Sequence, residues 1–438
     1  MQIPSLSKHE GEVGRYLSAY CERQGLKVRR FTEKDSSYNF SASLYPLTSG
    51  KPNLIFLSHL DVVEAAEDSA WQQPPFGGVV TDSAIWGRGS IDAKGLTVMQ
   101  LIGILRMRRA MKEQELPFNA TLLCVSSEEQ NGALGSKIIV NQFIKELNPI
   151  AVFGEGGSGL SGVVPGKPEL PVYAVSVAEK SNLWLRLDLS FTGHGHGAAA
   201  PNQYANKTLM KALYKLTEVQ SPITFTKTTR RMFHQLGKIT GGIRGFVTGH
   251  SHWWIFRPVL KKLMRQQPAL RSLLSNTATL THLYNPPGPV NQIAQSATAL
   301  LDCRLLPGAS RRRFIREIKY GLFEPRFKVT ILEENPEGVE SSVESEAYYA
   351  MERAFAELHP GSVMVPSLFP ASTDNNYFRA AGINVYGILP ILARFDELET
   401  IHGPNERLRI SELERGIKFY ELLLRQYASR PPAANVKI

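Results

Sequence analysis

Cysteine is scarce in this chain, long hydrophobic runs are missing, and one long stretch carries no negative charge. Only Cys21, Cys124 and Cys303 occur in 438 residues. An odd, scattered set of this kind argues against a disulfide framework and for a reducing compartment. No apolar run reaches the ~18 residues that a membrane span needs. The opening MQIPSLSKHEGEVGRYL lacks the positive start and apolar core of a secretory signal. A cytoplasmic location is therefore the expectation. Between Glu218 and Asp302 no acidic residue appears, yet ten Lys or Arg lie from Lys227 to Arg271. Taking those ten from the total of 50 leaves 40 basic residues against 40 acidic ones, so the whole net charge of +10 belongs to one region. Such a region can attract anionic lipid, nucleic acid or acidic substrates. It can equally be the solvated face of an inserted domain.

What is present reads as ordinary globular composition, 43% apolar and 21% charged. The length exceeds what one compact core normally holds, so two domains, or one with a large insertion, are expected. The first part alternates helix and strand. EGEVGRYLSAYCERQG has helical periodicity, and Leu54 to Leu57 form a buried strand. GLTVMQLIGILRMRRAMKEQ is a long buried helix, followed by the strand pattern NATLLCVSSEEQ, the helix SKIIVNQFIKEL and the strand IAVFGEGG. That alternation predicts an α/β fold with a mixed, mostly parallel sheet sandwiched by helices. Near residue 180 the pattern changes to SNLWLRLDLSFTG, a strand with one wet face, followed by helices and more strands. An α+β insertion is expected there. The divisions are 1–178 for the first part of the α/β domain, 179–308 for the insertion, with its end extending to about 335 at the latest, and 309–438 for the second part. The last residues, SRPPAANVKI, read as a loose tail.

In an open parallel sheet, sites form at the carboxyl ends of the strands. Polar residues collect at those positions here. The first strand runs into His59 and Asp61, and WGRGSIDAKG places Asp92 between glycines ahead of a long helix. The next strand ends in Glu128-Glu129, the third in Gly154-Glu155, and IHGPNERL puts His402 in a Gly/Pro turn. Singly, each has an ordinary explanation: a surface histidine, a helix-capping Asp, a solvated Glu pair. Together, two histidines and several carboxylates suit a zinc-type divalent site, with carboxylates enough for two metals bridged by one of them. His59 and Asp61, at i and i+2, point the same way on a strand, so Asp61 can fix the imidazole tautomer. Two adjacent glutamates cannot both face a metal from a regular strand. One would ligate while the other moves protons, which is the chemistry of hydrolysis.

These segments resemble the co-catalytic zinc peptidase and aminoacylase family that includes carboxypeptidase S, glutamate carboxypeptidase and succinyl-diaminopimelate desuccinylase. The resemblance covers nearly the whole chain in order, through SHLDVV, GRGSIDAKG, SSEEQNGALGS, GEGG, AEKSNLWLRLDLSFTGHGHGAAAP, GPVNQIAQSATALLDCRLLPG, STDNNYFRAAGI and IHGPNERL. WQQPPFGGVV, AEKS and the basic insertion look most like the carboxypeptidase S and N-acyl-amino-acid hydrolase branch. The resemblance implies a di-zinc hydrolase, with manganese or cobalt as other occupants. It acts on the amide bond of N-acyl amino acids or small peptides. His59, Asp92, Glu129, Glu155 and His402 would be metal ligands, Asp92 bridging. Asp61 would orient His59, and Glu128 would be the general base and acid. It further implies a homodimer, formed by the inserted domain, in which a histidine reaches the partner's active site and meets the oxyanion. His196 fits that position, with His194 as its rival. Asn291, Arg304 and Asp374 fall on the substrate side, Arg304 either holding a carboxylate or pairing with Asp302.

The chain departs from its relatives at Ala93, Ser127, Gly154 and Asn376, where many carry a polar residue, Asp, Asp and Arg. It also starts without the helix that usually precedes this point, which leaves room for an earlier segment, a targeting signal included. Two other functions compete: a non-catalytic binding protein on the same fold, and a membrane or nucleic-acid role for the basic stretch around Trp253 and Trp254. The metal set and Glu128 are complete, which disfavours the first. A small molecule is the expected partner, nucleic acid is not, and peripheral membrane contact is the lesser alternative.

Overall fold

The computed structural model describes residues 1–66, 68–111, 114–192, 195–218 and 221–430. His194 and the tail 431–438 lie outside the described residues.

The chain opens with α1 (Gly11–Arg23) and the hairpin β1 (Lys27–Lys34) and β2 (Ser37–Ser43). β3 (Asn53–His59), a short β4 (Ala84–Trp86), α2 (Lys94–Met111), β5 (Asn119–Val125), α3 (Ser136–Leu147), β6 (Pro149–Leu160) and β7 (Val172–Glu179) follow. Next come β8 (Ser181–Ser190) and α4 (Ala205–Glu218), then four helices over the basic stretch: α5 (Lys227–Thr240), α6 (Gly242–Gly249), α7 (Arg257–Gln266) and α8 (Pro268–Leu274). β9 (Thr277–Tyr284), β10 (Ser296–Leu305), α9 (Arg311–Gly321) and β11 (Lys328–Glu334) complete that part. The chain returns through α10 (Glu346–Leu358), β12 (Val363–Phe369), α11 (Asn375–Ala380) and β13 (Asn384–Leu392). It closes with α12 (Phe395–Leu398), β14 (Arg407–Arg409) and α13 (Ile410–Ser429).

The large sheet has the order β1-β2-β5-β3-β6-β13-β7-β12. Its centre, β5-β3-β6-β13, is parallel, while the β1–β2 and β2–β5 pairs are antiparallel. β3 and β5 are buried at all seven positions, which is why they read as continuous apolar runs rather than alternating ones. Helices α2 and α13 lie close on this sheet because Gly103 has no Cβ; one added there would stand 2.5 Å from the Cβ of Tyr420. Phe56 meets Phe153 and Tyr420 across the same layer, with ring centroids 5.4 and 5.5 Å apart. Side chains of this size, fully buried, each contribute about 1.5–3 kcal/mol. That packing makes the sheet a rigid base for its loops.

A second sheet, β11-β8-β10-β9, is antiparallel, with Leu183, Leu185, Leu187 and Leu189 facing the core formed with α4 and α9. It draws on β11, so it runs from Ser181 to Glu334. A boundary at 308 would cut it, whereas one near 335 follows its last strand. The helices of the basic stretch do not cover this small sheet. Met232, Phe233 and Leu236 of α5 pack on Val172 and Val365, at the outer edge of the large one. Trp253, Trp254 and Ile255, which could have been interior residues of the insertion, are exposed.

Two expectations about strand ends need correction. β5 stops at Val125, and Glu128–Gln130 form a 3₁₀ turn entered through Ser127 at φ 60°. Off the strand, the side-chain alternation that would have turned one glutamate away no longer applies. Glu155 does not end β6 either. It lies inside the strand at a bulge, where Gly387 pairs with Gly154 and Ile388 with Gly157, so that Glu155 and Gly156 leave the ladder.

Candidate metal centre

Five segments, two of them strands, bring the predicted ligands together. His59 is the last residue of β3, Asp92 precedes α2, the Glu128–Glu129 turn follows β5, Glu155 is at the β6 bulge, and His402 holds φ 61° in the turn before β14. His59 Nε2 lies 3.0 Å from Asp92 Oδ1 and 3.4 Å from Glu155 Oε2. His402 Nε2 lies 3.2 Å from Asp92 Oδ2 and 3.2 Å from Glu129 Oε1. Asp92 thus offers one oxygen to each side. Two overlapping sets, His59 with Glu128 and Glu155, and His59 with Asp92 and Glu129, have donor atoms within 4.8 Å of one another and could hold a cation.

The charges around these groups are strongly coupled. Burial raises the Glu128 carboxyl well above its usual value, and the charges on Glu155, Asp374 and Glu129 add to it. Glu155 rises to about 7, by burial first and then by the charge of Asp92. His402 rises to about 10 through its hydrogen bonds to Asp92 and Glu129. For Asp92, burial works upward, but hydrogen bonds and charge from His402 and His59 outweigh it and hold the carboxyl far below the usual range.

A cavity of about 1140 Å³ opens from this cluster. Asp92, Glu128, Glu129, Glu155 and His402 line one part. Leu160 and Val172 from the large sheet, Met232 and Leu236 from α5, and Leu270 and Leu273 from α8 line another. Asp92 and Glu129 converge with His59 and His402 within hydrogen-bond distance, while Val172, Met232, Leu236 and Leu273 form a separate apolar cluster, so the lining has an acidic part and an aliphatic one.

The sequence model of Peptidase family M20/M25/M40 matches residues 55–426. The chain belongs to this family. "Probable carboxypeptidase S-like 2" of Dictyostelium discoideum is 26% identical over 381 residues, covering 85% of this chain and 71% of the relative. The human "N-fatty-acyl-amino acid synthase/hydrolase PM20D1" is 25% identical over 405 residues, covering 90% of this chain and 78% of that protein. Among solved structures, the M20 family metallo-carboxypeptidase Sso-CP2 from Sulfolobus solfataricus superposes with a TM-score of 0.71 at 20% identity, covering 97% of both chains, and so shares the fold. Membership places the chain among hydrolases of the metallopeptidase type, on the carboxypeptidase S and N-acyl-amino-acid hydrolase branch.

Within this M20 frame the other predicted residues fall in three places. Asp61 is fully buried beside His59. His59 Nδ1 donates to the Asp61 backbone oxygen at 2.9 Å, with Asp61 Oδ1 3.4 Å away. Arg304 lines the large cavity while its guanidinium meets both oxygens of Asp302 at 2.9 and 3.0 Å and donates to Asn182. The ion pair and the cavity position therefore coexist. Asp374, expected at the substrate, is instead buried behind the centre. It borders a void of about 10 Å³ with His59, Glu128 and Glu155, while its neighbours Ser372 and Thr373 line the cavity. The cause is local: residues 372–374 turn inward to begin α11. His196 and Asn291 are exposed and touch each other, Asn291 Nδ2 lying 3.2 Å from His196 Nε2. Neither is among the described residues lining the cavity.

Sequence reasoning missed two supports. The Asp61 carboxylate accepts from the backbone N–H of Glu128 (3.0 Å) and Glu129 (3.1 Å) and from the Ser7 hydroxyl (2.7 Å), so it shapes the glutamate turn as well as the imidazole. Glu406, fully buried, accepts from Arg88 Nη1 (2.7 Å) and from the N–H groups of Gly89 (3.0 Å), Ile91 (2.8 Å) and Asp92 (3.2 Å). It fixes the loop that presents Asp92. The signal was in plain view, since Glu406 stands four residues after His402, but a lone Glu in a turn reads as solvated.

Proposed function

We propose that this chain hydrolyses the amide bond of N-acyl amino acids with a long apolar acyl chain, using two divalent cations, zinc by first expectation. The donor set fits such ions. Asp61, Asp92, Glu128, Glu129, Glu155 and Asp374 crowd two imidazoles, an excess of negative charge that cations balance, and carboxylate oxygen with imidazole nitrogen suits zinc, manganese or cobalt. His59 and Glu155 would serve one cation, Glu129 and His402 the other, with Asp92 between them. When bound, two such ions polarise a carbonyl and lower the pKa of water.

The chain's own residues do the rest. Asp61 holds the His59 tautomer and the glutamate turn. Glu128 takes a proton from the attacking water as its oxygen bonds to the amide carbon. It then returns the proton to the nitrogen as the C–N bond breaks, releasing a carboxylic acid and an amino acid. Arg304 meets the substrate carboxylate. Among the described residues lining the cavity, no histidine besides His402 is placed to donate to the oxyanion. The family resemblance gives the role to His196 of a second copy in a homodimer, with His194 as the alternative.

The observation that carries the acyl-chain reading is the cavity's division into an acidic and an aliphatic end. Peptide side chains need far less apolar depth. The relatives named for N-fatty-acyl amino acids point the same way. The test is a panel of N-acyl amino acids of rising chain length beside dipeptides, with metal content measured on the same sample. kcat/KM should rise with chain length and exceed that for any dipeptide. Preference for dipeptides, or metal-independent turnover, would overturn the reading. His196→Ala should lower kcat with metal content unchanged.

A further inference from the structure

Of the four helices over the basic stretch, α5 and α8 wall the cavity, while α6 and α7 face elsewhere. α6 packs against α5 at very short range, since a Cβ on Gly245 would stand 2.3 Å from the Gly237 oxygen. With Gly245 and Gly249 turned inward, Ile243, Phe246 and Val247 are left outward at i, i+3 and i+4. The exposed run continues through Trp253, Trp254 and Ile255 to Val259 and Leu263 on α7, whose inner positions are Leu260 and Met264. Ile243 is 85% exposed and Trp254 78%. Isolated exposed apolar residues need no explanation, but eight large ones within one short span do.

Charge says what covers them. Arg244, Arg257, Lys261, Lys262 and Arg265 are interleaved with these side chains and are exposed. Of the ten cations of the acid-free stretch, Arg231 reaches Glu344 at 3.4 Å; among the described residues none of the others has an acid within ion-pair distance. A second copy of this face would set like charges against one another. Nucleic acid would use flat aromatic rings, but Ile243, Val247, Val259 and Leu263 have no ring to stack on a base. Aliphatic side chains and tryptophans mixed with unpaired cations match the headgroup layer of an anionic bilayer, where apolar groups enter the acyl boundary and Lys or Arg meet lipid phosphates.

We propose that the outer face of α6 and α7, including the Trp254–Phe256 turn between them, docks this chain on anionic membrane surfaces. The inner sides of α5 and α8 wall the aliphatic end of the cavity, so docking would bring a receptor for apolar chains to a source of them. The docking itself does not depend on the proposed reaction: a chain that turned over nothing would still bind.

The test is co-sedimentation of the full chain with phosphatidylcholine vesicles, with and without phosphatidylserine, over a series of salt concentrations. Binding should require phosphatidylserine and weaken as salt rises. Lys261→Glu with Lys262→Glu and Arg265→Glu should reduce partition on the order of a hundredfold. Trp254→Ala with Ile243→Ser should reduce it several-fold, even where charge is intact. All five positions are exposed and none lines the cavity, so thermal unfolding and turnover of a short-chain substrate should be unchanged. Equal binding to neutral vesicles, or binding that neither set of changes affects, would overturn the proposal. So would RNA binding without vesicle binding, or a dimer that Trp254→Ala dissociates.

Discussion

Around Asp92, polar groups hold polar groups. Glu406 grips the loop backbone by three N–H groups, Asp61 grips the glutamate turn by two, and imidazoles lie on both Asp92 oxygens. Around Leu236, in another part of the same cavity, the wall is made of apolar side chains from α5, α8 and the sheet edge that pack on one another. Hydrogen bonds are directional, and a buried group left without its partner is costly. Aliphatic walls tolerate substitutions that keep volume. The acidic end should therefore respond steeply and specifically to single changes, and the aliphatic end gradually and by size.

The largest effect is expected at Glu128. Glu128→Gln keeps the shape and removes the proton carrier, so kcat should fall by about 10²–10⁴-fold while metal content stays that of the wild type. Steady-state kinetics with elemental analysis checks it. Full turnover would remove Glu128 from its role, and loss of metal would make it a ligand.

Glu406→Gln tests whether the contrast extends one layer outward. Arg88 is 1% exposed and would lose its carboxylate partner, and breaking a buried pair on one side costs about 3–5 kcal/mol. Loosening the loop under Asp92 should also weaken metal binding about 10–100-fold. Denaturant unfolding and metal titration read the two separately. Lowered stability with unchanged metal affinity would mean that the loop holds Asp92 without Glu406.

That residue also marks where the sequence stopped being readable. The parallel strands were legible, because continuous apolar runs are a local signal, and the His, Asp and Glu residues beside them were readable as candidate ligands. The support for Asp92 comes from a carboxylate more than 300 positions away, and no period or motif encodes that distance. Glu155 was recognised, but its bulge was not, because a bulge is set by the partner strand. The cavity's aliphatic end was invisible for a related reason. Met232, Leu236 and Leu273 look like any amphipathic helix residues until the fold turns them toward the centre. Asp374 shows the reverse error: a polar residue near the right loops was expected to face substrate, yet the start of α11 turns it under Glu128.

At the aliphatic end, Leu236→Trp adds bulk to the cavity wall without touching a polar group. It should lower kcat/KM for long acyl chains about tenfold relative to short ones, the scale on which apolar pockets discriminate, and leave metal content unaltered. If long and short chains lose equally, the aliphatic part is not an acyl receptor and the contrast between the two has no bearing on specificity.

The smallest effect expected is a change with pH, and it separates the two ends without any mutation. Glu155 titrates near 7 rather than 4.5, mainly because it is buried, and His402 near 10 rather than 6.5, because Asp92 and Glu129 hold its proton. Both folded values lie above the unfolded ones. In the metal-free chain, the contribution of Glu155 to stability is thus fully present below 4.5 and lost as pH rises through about 7. That of His402 is present below 6.5 and lost through about 10. Cations demand the deprotonated ligands, so their binding releases these protons and tightens as pH rises. The gap in Tm between metal-loaded and chelator-treated protein should therefore widen from about pH 5 to about pH 8. Lys180, which burial lowers to about 7, titrates in both forms and cancels in the difference. The aliphatic end has nothing to titrate, so Leu236→Trp should leave the widening untouched. A gap that stays constant over that range would mean that the carboxylates and imidazoles carry no protons for a cation to displace, and no gap at any pH would mean that the acidic cluster holds no cation.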